Sequence, residues 1–432
     1  MKQAGLFIAT LCLLASCSQT NNSDKELAQT ILNDSTLTTV DSMGRALLQK
    51  GFNAGSGYSQ VWARDMNTFV ETALQEVNPQ EIRGAILVFF ALQQPNNEMI
   101  DGYVLNKDFN WNDPNQYRSK TDTTHVGFKN TVETDQETSL IQTVAKYIRT
   151  TGDTSILSEK IAGKTVLERM GLMVDYLMKE RYSKKYGLLW GAMTADWGDV
   201  QPNTGNVVDI DSTTTPAIDI YDNAMFIIAL DDLAGMTSDT SEAQHWKELS
   251  RHIADNARKY LWDAKNQKFT PHIYLDKSPI PAGFDESKVF YHGGTAVAIE
   301  AGLLSKEEIE SSNKHMLEDV RLSGAPSIGL TLYPVYPDNF FHGGMAKPYV
   351  YQNGGDWTWF GARMIQQLIV NGFVKEAYAE MRPMIDRVIK NKGFYEWYEV
   401  NGKPAGSANF KGSAGTLCKA IQMLQLWAKE NK

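Results

Sequence analysis

Two carboxylates of this 432-residue chain stand in settings where a lone acid is costly unless it has a task. Asp199 closes the segment Trp197-Gly198-Asp199, and Glu396 is flanked by aromatic residues on both sides within 394–398. A carboxylic acid and a carboxylate about 6.5–9.5 Å apart cleave a glycosidic bond with inversion, the acid protonating the leaving oxygen and the carboxylate activating water. Aromatic surroundings raise the pKa of the acid, as proton donation near neutral pH requires. The residues therefore predict Asp199 as general acid and Glu396 as general base.

Both carboxylates also have a plainer interpretation. Asp is common where a chain reverses, and Asp196, three residues before Asp199, is a rival for the acid. Glu396 would face solvent if 394–398 were a short extended segment with its aromatic residues pointing inward. The residues alone leave these alternatives open.

Six clusters of polar and aromatic residues each come just before a helix-forming stretch, at every second predicted helix. They are 57–65, 130–135, 219–223, 290–294, 351–359 and 409–415. If alternate helices point their N-termini at one place, six distant segments build a single polar and aromatic site. Such a site suits a sugar-cleaving enzyme.

Apolar residues recur with the 3.6-residue period of amphipathic helices along the chain, as in the stripe from Met66 to Val77. The pattern predicts almost no strands and twelve helices, at 37–50, 65–77, 80–93, 136–150, 163–180, 221–236, 242–261, 294–303, 305–320, 356–371, 373–390 and 412–429. There is no repeat of fixed period and no Pro/Ser-rich linker after residue 25. We therefore expect an all-α fold, a single (α/α)6 toroid of six antiparallel helix pairs that forms one catalytic domain over 37–432.

The first residues are typical of an export signal. Lys2 precedes an apolar run over 6–15 that is too short for a membrane span, and the run ends in Leu-Ala-Ser-Cys at 14–17. That ending resembles the lipobox of bacterial lipoproteins, which implies lipidation of Cys17; an ordinary signal peptide with a chance cysteine is the alternative. We expect a lipoprotein signal peptide over 1–17, a tether and lead-in over 18–36, and a lipid-anchored protein of the bacterial cell envelope.

Charge and composition narrow the classes of ligand. A net charge of −9 argues against nucleic acid or anionic lipid as the partner, because both need clustered Lys and Arg. After signal removal only Cys418 and the lipidated cysteine remain, so no disulfide framework is expected. His292 and His342 each precede Gly-Gly without a third ligand at a suitable spacing. We expect no metal, no cofactor and a monomer that binds a neutral glycan.

Five short motifs follow one another in an order known from one group of enzymes. They are Trp62-Ala63-Arg64-Asp65, Val132-Glu133-Thr134-Asp135 with Thr151-Gly152-Asp153 after the next helix, Trp197-Gly198-Asp199, the segment 351–357, and Tyr395-Glu396-Trp397-Tyr398. In this order they resemble the six-hairpin glycosidases, most closely the glucosidase domain of glycogen-debranching enzymes, and they are similar to processing α-glucosidases and neutral invertases. Over 57–425 the resemblance implies glycoside hydrolysis with Asp199 as acid, Glu396 as base and Asp65 as a ligand of the released sugar.

Other residues of the motifs suit substrate binding. Arg64 and Asp65 are expected to pair or to offer charge-assisted hydrogen bonds to sugar hydroxyls, with an ion pair capping the helix as the alternative. Tryptophans offer stacking surfaces for pyranose rings. The predicted binding residues are Trp62, Arg64, Asp65, Trp111, Glu133, Asp135, Trp197, Asn353, Asp356, Trp357 and Trp397, with Trp359 as a further stacking candidate.

The sequence thus predicts an exported, inverting, exo-acting hydrolase that resembles α-glucosidases. Two alternatives stay open. One is hydrolysis of another linkage on the same scaffold, such as a mannosidic, fructosidic or rhamnosidic bond. The other is a glycan-binding lipoprotein without catalysis, which has no use for an acid and a base meeting in one pocket.

Overall fold

The computed structural model describes residues 22–109, 115–132, 134–202 and 207–432. Within these ranges the chain forms thirteen α-helices. They are α1 Asn22–Asn33, α2 Ser35–Leu48, α3 Ala63–Ala73, α4 Pro79–Ala91, α5 Gln136–Thr151, α6 Val166–Glu180, α7 Ile220–Met236, α8 Thr240–Tyr260, α9 His292–Glu300, α10 Lys306–Ser323, α11 Thr358–Val370, α12 Val374–Asn391 and α13 Lys411–Asn431. All twelve predicted helices are present as α2 to α13, with ends displaced by a few residues.

Six of the helices close into an inner ring. Each contacts the next in the order α3, α5, α7, α9, α11 and α13, and α13 returns to α3. The alternate helices α2, α4, α6, α8, α10 and α12 lie outside this ring. The predicted (α/α)6 toroid is therefore confirmed, and the inner helices are those that the six sequence clusters precede.

Burial distinguishes the two layers. The inner helix α9 is buried from His292 to Ile299, as expected of a helix enclosed on all sides. The outer helix α8 buries a single stripe over its 21 residues, made of Trp246, Ser250, Ile253 and Ala257. Side chains three and four positions apart share one helix face, so this stripe faces the ring and the rest of α8 faces solvent.

The predicted lead-in is more ordered than expected. From Asn22 onward it forms α1, which packs against α13 and buries Ala28 and Ile31. The polar Ser/Asn composition of this segment suggested a tether, but two buried positions three residues apart are enough to dock a helix on a neighbour. The expected domain therefore gains a thirteenth helix at its start.

The expectation of almost no strands was wrong. The described segments between helices contain β1 Val61–Trp62, β2 Gly102–Leu105, β3 Gln116–Tyr117, β4 His125–Phe128, β5 Lys160–Ile161, β6 Lys164–Thr165, β7 Tyr182–Ser183, β8 Leu188–Leu189, β9 Gly191–Ala192, β10 Pro216–Ile218, β11 Trp262–Asp263, β12 Lys268–Phe269, β13 Ile273–Tyr274, β14 Phe290–Tyr291, β15 Leu332–Tyr333, β16 Tyr395–Tyr398 and β17 Pro404–Ala408. Strands of two to five residues are too short for an alternating pattern to reveal them.

Two of the small antiparallel sheets lie in segments that precede inner helices. One has four strands in the order β1-β2-β4-β3, with Gly102 of β2 opposite Phe128 of β4. The other is the hairpin β16-β17, whose register shifts between Tyr395 and Trp397. Both sheets fix the backbone at the entrance to the helix that comes next.

Among the described residues, none of the helices combines the length and apolar character that crossing a membrane requires.

Candidate active site

A cavity of about 170 Å³, partly open to solvent, lies at the N-terminal ends of inner helices. Its wall is formed by Ala54, Tyr58, Trp62, Arg64, Asp65, Asp101, Asn130, Gln136, Trp197, Asp199, Tyr351, Gln352, Trp357, Trp359, Glu396 and Phe410. Four of the six sequence clusters contribute to this wall. The clusters 219–223 and 290–294 contribute none, so the convergence predicted from sequence holds for four segments.

Asp199 is half-buried in the segment between β9 and β10 and reaches the cavity. Its Oδ2 accepts a hydrogen bond from the Tyr351 hydroxyl at 3.4 Å, and its backbone N–H donates to Oε1 of Gln352 at 3.3 Å. Oδ1 is buried and has no hydrogen-bond partner among the described residues. Burial raises the pKa of Asp199, while Arg64 opposes that rise. A carboxyl group with a raised pKa and one free oxygen suits proton donation.

Gly198 gives Asp199 its close approach to the preceding turn. A Cβ at this position would lie 2.9 Å from the carbonyl oxygen of Ala195 and 3.3 Å from Oε1 of Gln352. Only a residue without a side chain fits there.

Asp196, the rival for the acid, lies elsewhere. Its two oxygens accept the backbone N–H groups of Gly293 and Gly294 at 2.7 and 2.8 Å, so the side chain caps the start of α9. Burial raises its pKa to about 8, although these two hydrogen bonds oppose the rise. Asp196 does not line the cavity, and both of its oxygens are occupied. The tertiary structure thus favours Asp199 over Asp196.

Glu396 lies on β16 and is only 4% exposed. Oε1 accepts the Tyr58 hydroxyl hydrogen at 2.9 Å, and Oε2 accepts the backbone N–H of Ser407, on the paired strand β17, at 2.7 Å. Burial raises the pKa of Glu396, and the two hydrogen bonds oppose that rise because they favour the ionised carboxylate. Glu396 does not face solvent, so the alternative of an exposed strand glutamate is not what the fold shows.

Asp199 and Glu396 are 197 positions apart in sequence and line the same cavity. The charge of Asp199 raises the pKa of Glu396, as expected of two carboxylates that face one space. The structure therefore brings together the two groups that the sequence selected as an acid and a base.

Asp65 begins α3 and also lines the cavity. Its Oδ1 is buried without a hydrogen-bond partner in the described part of the chain, and burial raises the pKa of the group to about 7. An unpartnered carboxylate oxygen on a cavity wall suits a hydroxyl donor of a ligand.

Arg64 does not pair with Asp65 as expected. Its Nε and one terminal nitrogen donate to the two oxygens of Asp135 at 2.5 and 3.0 Å. The Tyr221 hydroxyl also donates to Asp135, at 2.7 Å. Asp135 is thereby saturated and lies outside the cavity wall, so the structure makes it a buried ion-pair partner that holds Arg64 in place.

Of the predicted tryptophans, Trp62, Trp197 and Trp357 line the cavity, and so does Trp359. Trp197 is buried and stacks on Phe360 with ring centres 4.5 Å apart, which fixes the chain just before Asp199. Trp62 is only half-buried. Trp62 is therefore the tryptophan best placed to meet a sugar ring.

Besides Asp135, three further predicted binding residues lie outside the cavity wall. Asp356 forms a buried ion pair with Arg387 at 2.7 Å, and Asn353 exchanges two hydrogen bonds with the backbone of Tyr336. Trp397 packs its ring against Tyr351. Buried polar groups need partners inside the protein, and these residues tie down the loop before α11.

Trp111, Glu133 and Cys17 lie outside the described residues. His292 begins α9 and is buried, with its Nε2 3.2 Å from Asp319. In the part of the chain that the structure describes, no group of three or more His, Cys, Asp or Glu residues is arranged to hold a metal ion.

The sequence reasoning missed several residues of the wall. Tyr58, Tyr351 and Gln352 stand inside the quoted clusters, yet only their acidic and tryptophan neighbours were selected. Asp101 belongs to none of the sequence motifs or clusters. It precedes β2, its carboxylate accepts the backbone N–H of Asn130 at 2.7 Å, and burial raises its pKa to about 7. A carboxylate beside a strand of four residues gave no periodic signal.

A closed ring of six inner helices, with carboxylates and aromatic residues at their N-terminal ends, defines the class of six-hairpin glycosidases. The chain belongs to the glycosyl hydrolase 94 superfamily, whose catalytic domain matches residues 19–352. The matched range contains Asp199 and ends before Glu396, so the role of Glu396 rests on geometry. Among curated proteins no significant match was found.

Solved structures of similar fold include glycosidases of other families. A GH63 mannosylglycerate hydrolase from Thermus thermophilus, in complex with glucose, superimposes with a TM-score of 0.62 at 14% identity, over 89% of this chain and 99% of that one. A rhamnosidase from Klebsiella oxytoca with rhamnose bound gives a TM-score of 0.60 at 11% identity, over 90% of this chain and 64% of that one. The GH78 rhamnosidase of Bacillus sp. GL1 gives a TM-score of 0.57 at 14% identity, over 89% of this chain and 34% of that one.

At these identities the likeness shows a shared fold. The chain spans nearly the whole hydrolase from Thermus but less than two thirds of either rhamnosidase. The finer resemblance to glycogen-debranching enzymes stays a prediction.

Proposed function

We propose that the protein is an inverting glycoside hydrolase that removes a terminal sugar from an oligosaccharide or small glycoside. The observation that carries the proposal is the position of Asp199 and Glu396 on the wall of one cavity. A glycan-binding protein without catalysis needs aromatic rings and hydrogen-bond donors but no buried pair of carboxyl groups. The pair therefore supports an enzyme.

In the proposed reaction protonated Asp199 gives its proton to the glycosidic oxygen, and the bond from the anomeric carbon to that oxygen breaks. Ionised Glu396 removes a proton from a water molecule, whose oxygen bonds to the anomeric carbon from the opposite face. The sugar is released with inverted configuration, Asp199 is left ionised and Glu396 protonated. The free Oδ1 of Asp199 is the oxygen placed to deliver the proton.

The wall of the cavity suits a terminal sugar unit. Asp65 and Asp101 are acceptors for its hydroxyl groups, and Trp62 is a stacking surface for its ring. A cavity of about 170 Å³ is small for a chain of several sugars, which favours exo action on a chain end.

The first candidate substrate is an α-glucoside, as the sequence motifs suggest. A second is a mannoside, because the fold covers 99% of a protein whose name is mannosylglycerate hydrolase. Aryl glycosides and disaccharides of glucose, mannose, rhamnose and fructose, assayed side by side, distinguish these linkages. Turnover of none of them, in a protein shown to be folded, argues for the binding-protein alternative.

The sharpest test of the chemistry is Glu396→Gln. We expect loss of turnover by several orders of magnitude with an unchanged melting curve, and Glu399→Gln, three positions later in the same aromatic segment, serves as the matched control. Proton NMR of the first-formed product follows the anomeric configuration. Retained configuration, or normal activity of the Glu396→Gln variant, contradicts the proposed mechanism.

We also propose export and lipid anchoring at Cys17, which the N-terminal sequence supports. Palmitate labelling of the full-length protein expressed in bacteria, with Cys17→Ser as control, tests the anchor. Labelling that persists in the variant contradicts it. Light scattering of the purified protein tests the expected monomer.

A further inference from the structure

A second cavity, of about 50 Å³, lies between the inner helices and shares no lining residue with the candidate active site. It is lined by Asn67, Thr68, Glu71, Thr72, Lys146, Glu300, Arg363, Gln366, Thr416 and Lys419. These residues belong to five inner helices, α3, α5, α9, α11 and α13, so the cavity lies on the axis of the ring. On α3 its residues follow Asp65, which places the cavity deeper along the ring than the candidate site. We call it the axial cavity.

Every residue that lines the axial cavity is polar or charged, and the charges do not cancel. Arg363 pairs with Glu300 at 2.8 Å, and Lys419 pairs with Glu71 at 3.3 Å. Lys146 is the third cation, and two carboxylates face three cations. The wall therefore carries a net charge of +1.

Lys146 is the cation without a charged partner. Its Nζ donates to the backbone oxygen of Asn67 at 2.8 Å, and no carboxylate among the described residues lies within 4.0 Å of it. Burial lowers the pKa of Lys146, and the nearby charge of Arg363 lowers it further, against the opposite effect of Glu71, Glu300 and Asp232. A half-buried ammonium group without an ion-pair partner in direct contact is costly, and an anion beside it removes much of that cost.

The hydroxyl donors of the wall are already engaged. The hydroxyl groups of Thr68, Thr72 and Thr416 donate to the backbone oxygens of Asp65, Gly415 and Gly412. The ammonium groups of Lys146 and Lys419 each have three N–H donors and one acceptor among the described residues, but the acceptor of Lys419 is the carboxylate of Glu71 and that of Lys146 is an uncharged backbone oxygen. Lys146 is therefore the ammonium group with both spare donors and no ion-pair partner within the described part of the chain.

We propose that the axial cavity binds a small inorganic anion of the chloride class against Nζ of Lys146. The anion completes the charge balance of the ring and stabilises the closed toroid. Water accompanies it and donates to Oδ1 of Asn67, which is buried and has no partner in the described part of the chain. This site is independent of the proposed hydrolysis, because its wall shares no residue with the candidate active site.

Thermal unfolding at constant ionic strength tests the proposal, with sodium chloride replacing sodium gluconate step by step. We expect the Tm of the wild-type protein to rise with chloride and to saturate, by on the order of 1–2 °C at saturation. Lys146→Met should remove this dependence. Lys179→Met removes an exposed cation that lies outside this cavity, and it should keep the dependence. A flat response of the wild type, or equal responses of all three proteins, overturns the proposal.

A second measurement holds even if Lys146→Met fails to fold. Crystals of the wild-type protein soaked in bromide should show an anomalous peak in the axial cavity within about 3.5 Å of Nζ of Lys146. Ordered water alone at this position, at a bromide concentration that labels other sites, also overturns the proposal.

Discussion

Tyr58 donates its hydroxyl hydrogen to Oε1 of Glu396 across 2.9 Å, and the two residues are 338 positions apart in sequence. The other oxygen of Glu396 accepts the backbone N–H of Ser407. Both hydrogen bonds favour the ionised carboxylate, which is the form that a general base needs. They act against the rise in the pKa of Glu396 that burial causes.

Tyr58→Phe should therefore move one limb of the pH profile. Without the hydroxyl the pKa of Glu396 rises further, so the acidic limb of kcat/KM should move to higher pH by about one unit, while the alkaline limb stays in place. Tyr349→Phe, at a half-buried position outside the cavity wall, is the control. Movement of the alkaline limb alone would assign the base to another group.

Asp199→Asn and Asp196→Asn should distinguish the catalytic role proposed for Asp199 from the helix-capping role of Asp196. Loss of the general acid is expected to lower kcat by about 10²–10⁴ for a substrate with a poor leaving group, with little change in Tm. Asp196→Asn places an amide group against two N–H donors at the start of α9, which should cost about 1–3 kcal/mol of stability. Kinetics together with urea unfolding measure both effects. The reverse pattern would make Asp196 the acid.

Asp65→Asn should weaken the interaction with the released sugar. A charge-assisted hydrogen bond is worth about 1.5–3 kcal/mol, so kcat/KM should fall by about 10- to 100-fold. Burial raises the pKa of Asp65 to about 7, so the carboxylate is ionised only above that pH and the effect of the substitution should grow as pH rises through 7. A fall in kcat/KM of the same size at pH 5 and pH 8 contradicts this role.

Asp135→Asn should act mainly on stability. It removes the charge of the carboxylate that pairs with Arg64 in an enclosed setting, and breaking such a pair costs about 3 kcal/mol. Glu310→Gln breaks an exposed pair with Lys314 and should leave the unfolding midpoint almost unchanged. If Asp135→Asn instead leaves the midpoint in place and raises KM alone, Asp135 is a substrate ligand, as its sequence motif first suggested.

The sequence determined the helical architecture because an amphipathic helix repeats its apolar residues with a period of 3.6 positions, which can be recognised locally. The stripe that includes Met66, Phe69 and Val70 is buried in α3 as its spacing predicts. The clusters of aromatic and acidic residues also marked the ends of helices that face the cavity. The sequence could not show a strand of two residues, such as β1, or a helix such as α1, which packs against the distant helix α13.

Within the candidate site, residue types and motifs identified the candidate carboxylates but not the groups with which they form hydrogen bonds or ion pairs. Asp196 and Asp199 are equivalent in sequence, and only the packing of α9 against the loop shows that Asp196 is occupied as a cap. Likewise the pairing of Arg64 with Asp135, rather than with its neighbour Asp65, joins two helices that are distant in sequence. Hydrogen bonds between segments that are distant in sequence produce no regular spacing of residue types, so the sequence alone does not reveal them. The sequence by itself therefore determined which groups are candidates for chemistry, and the tertiary structure decided which of them face the cavity.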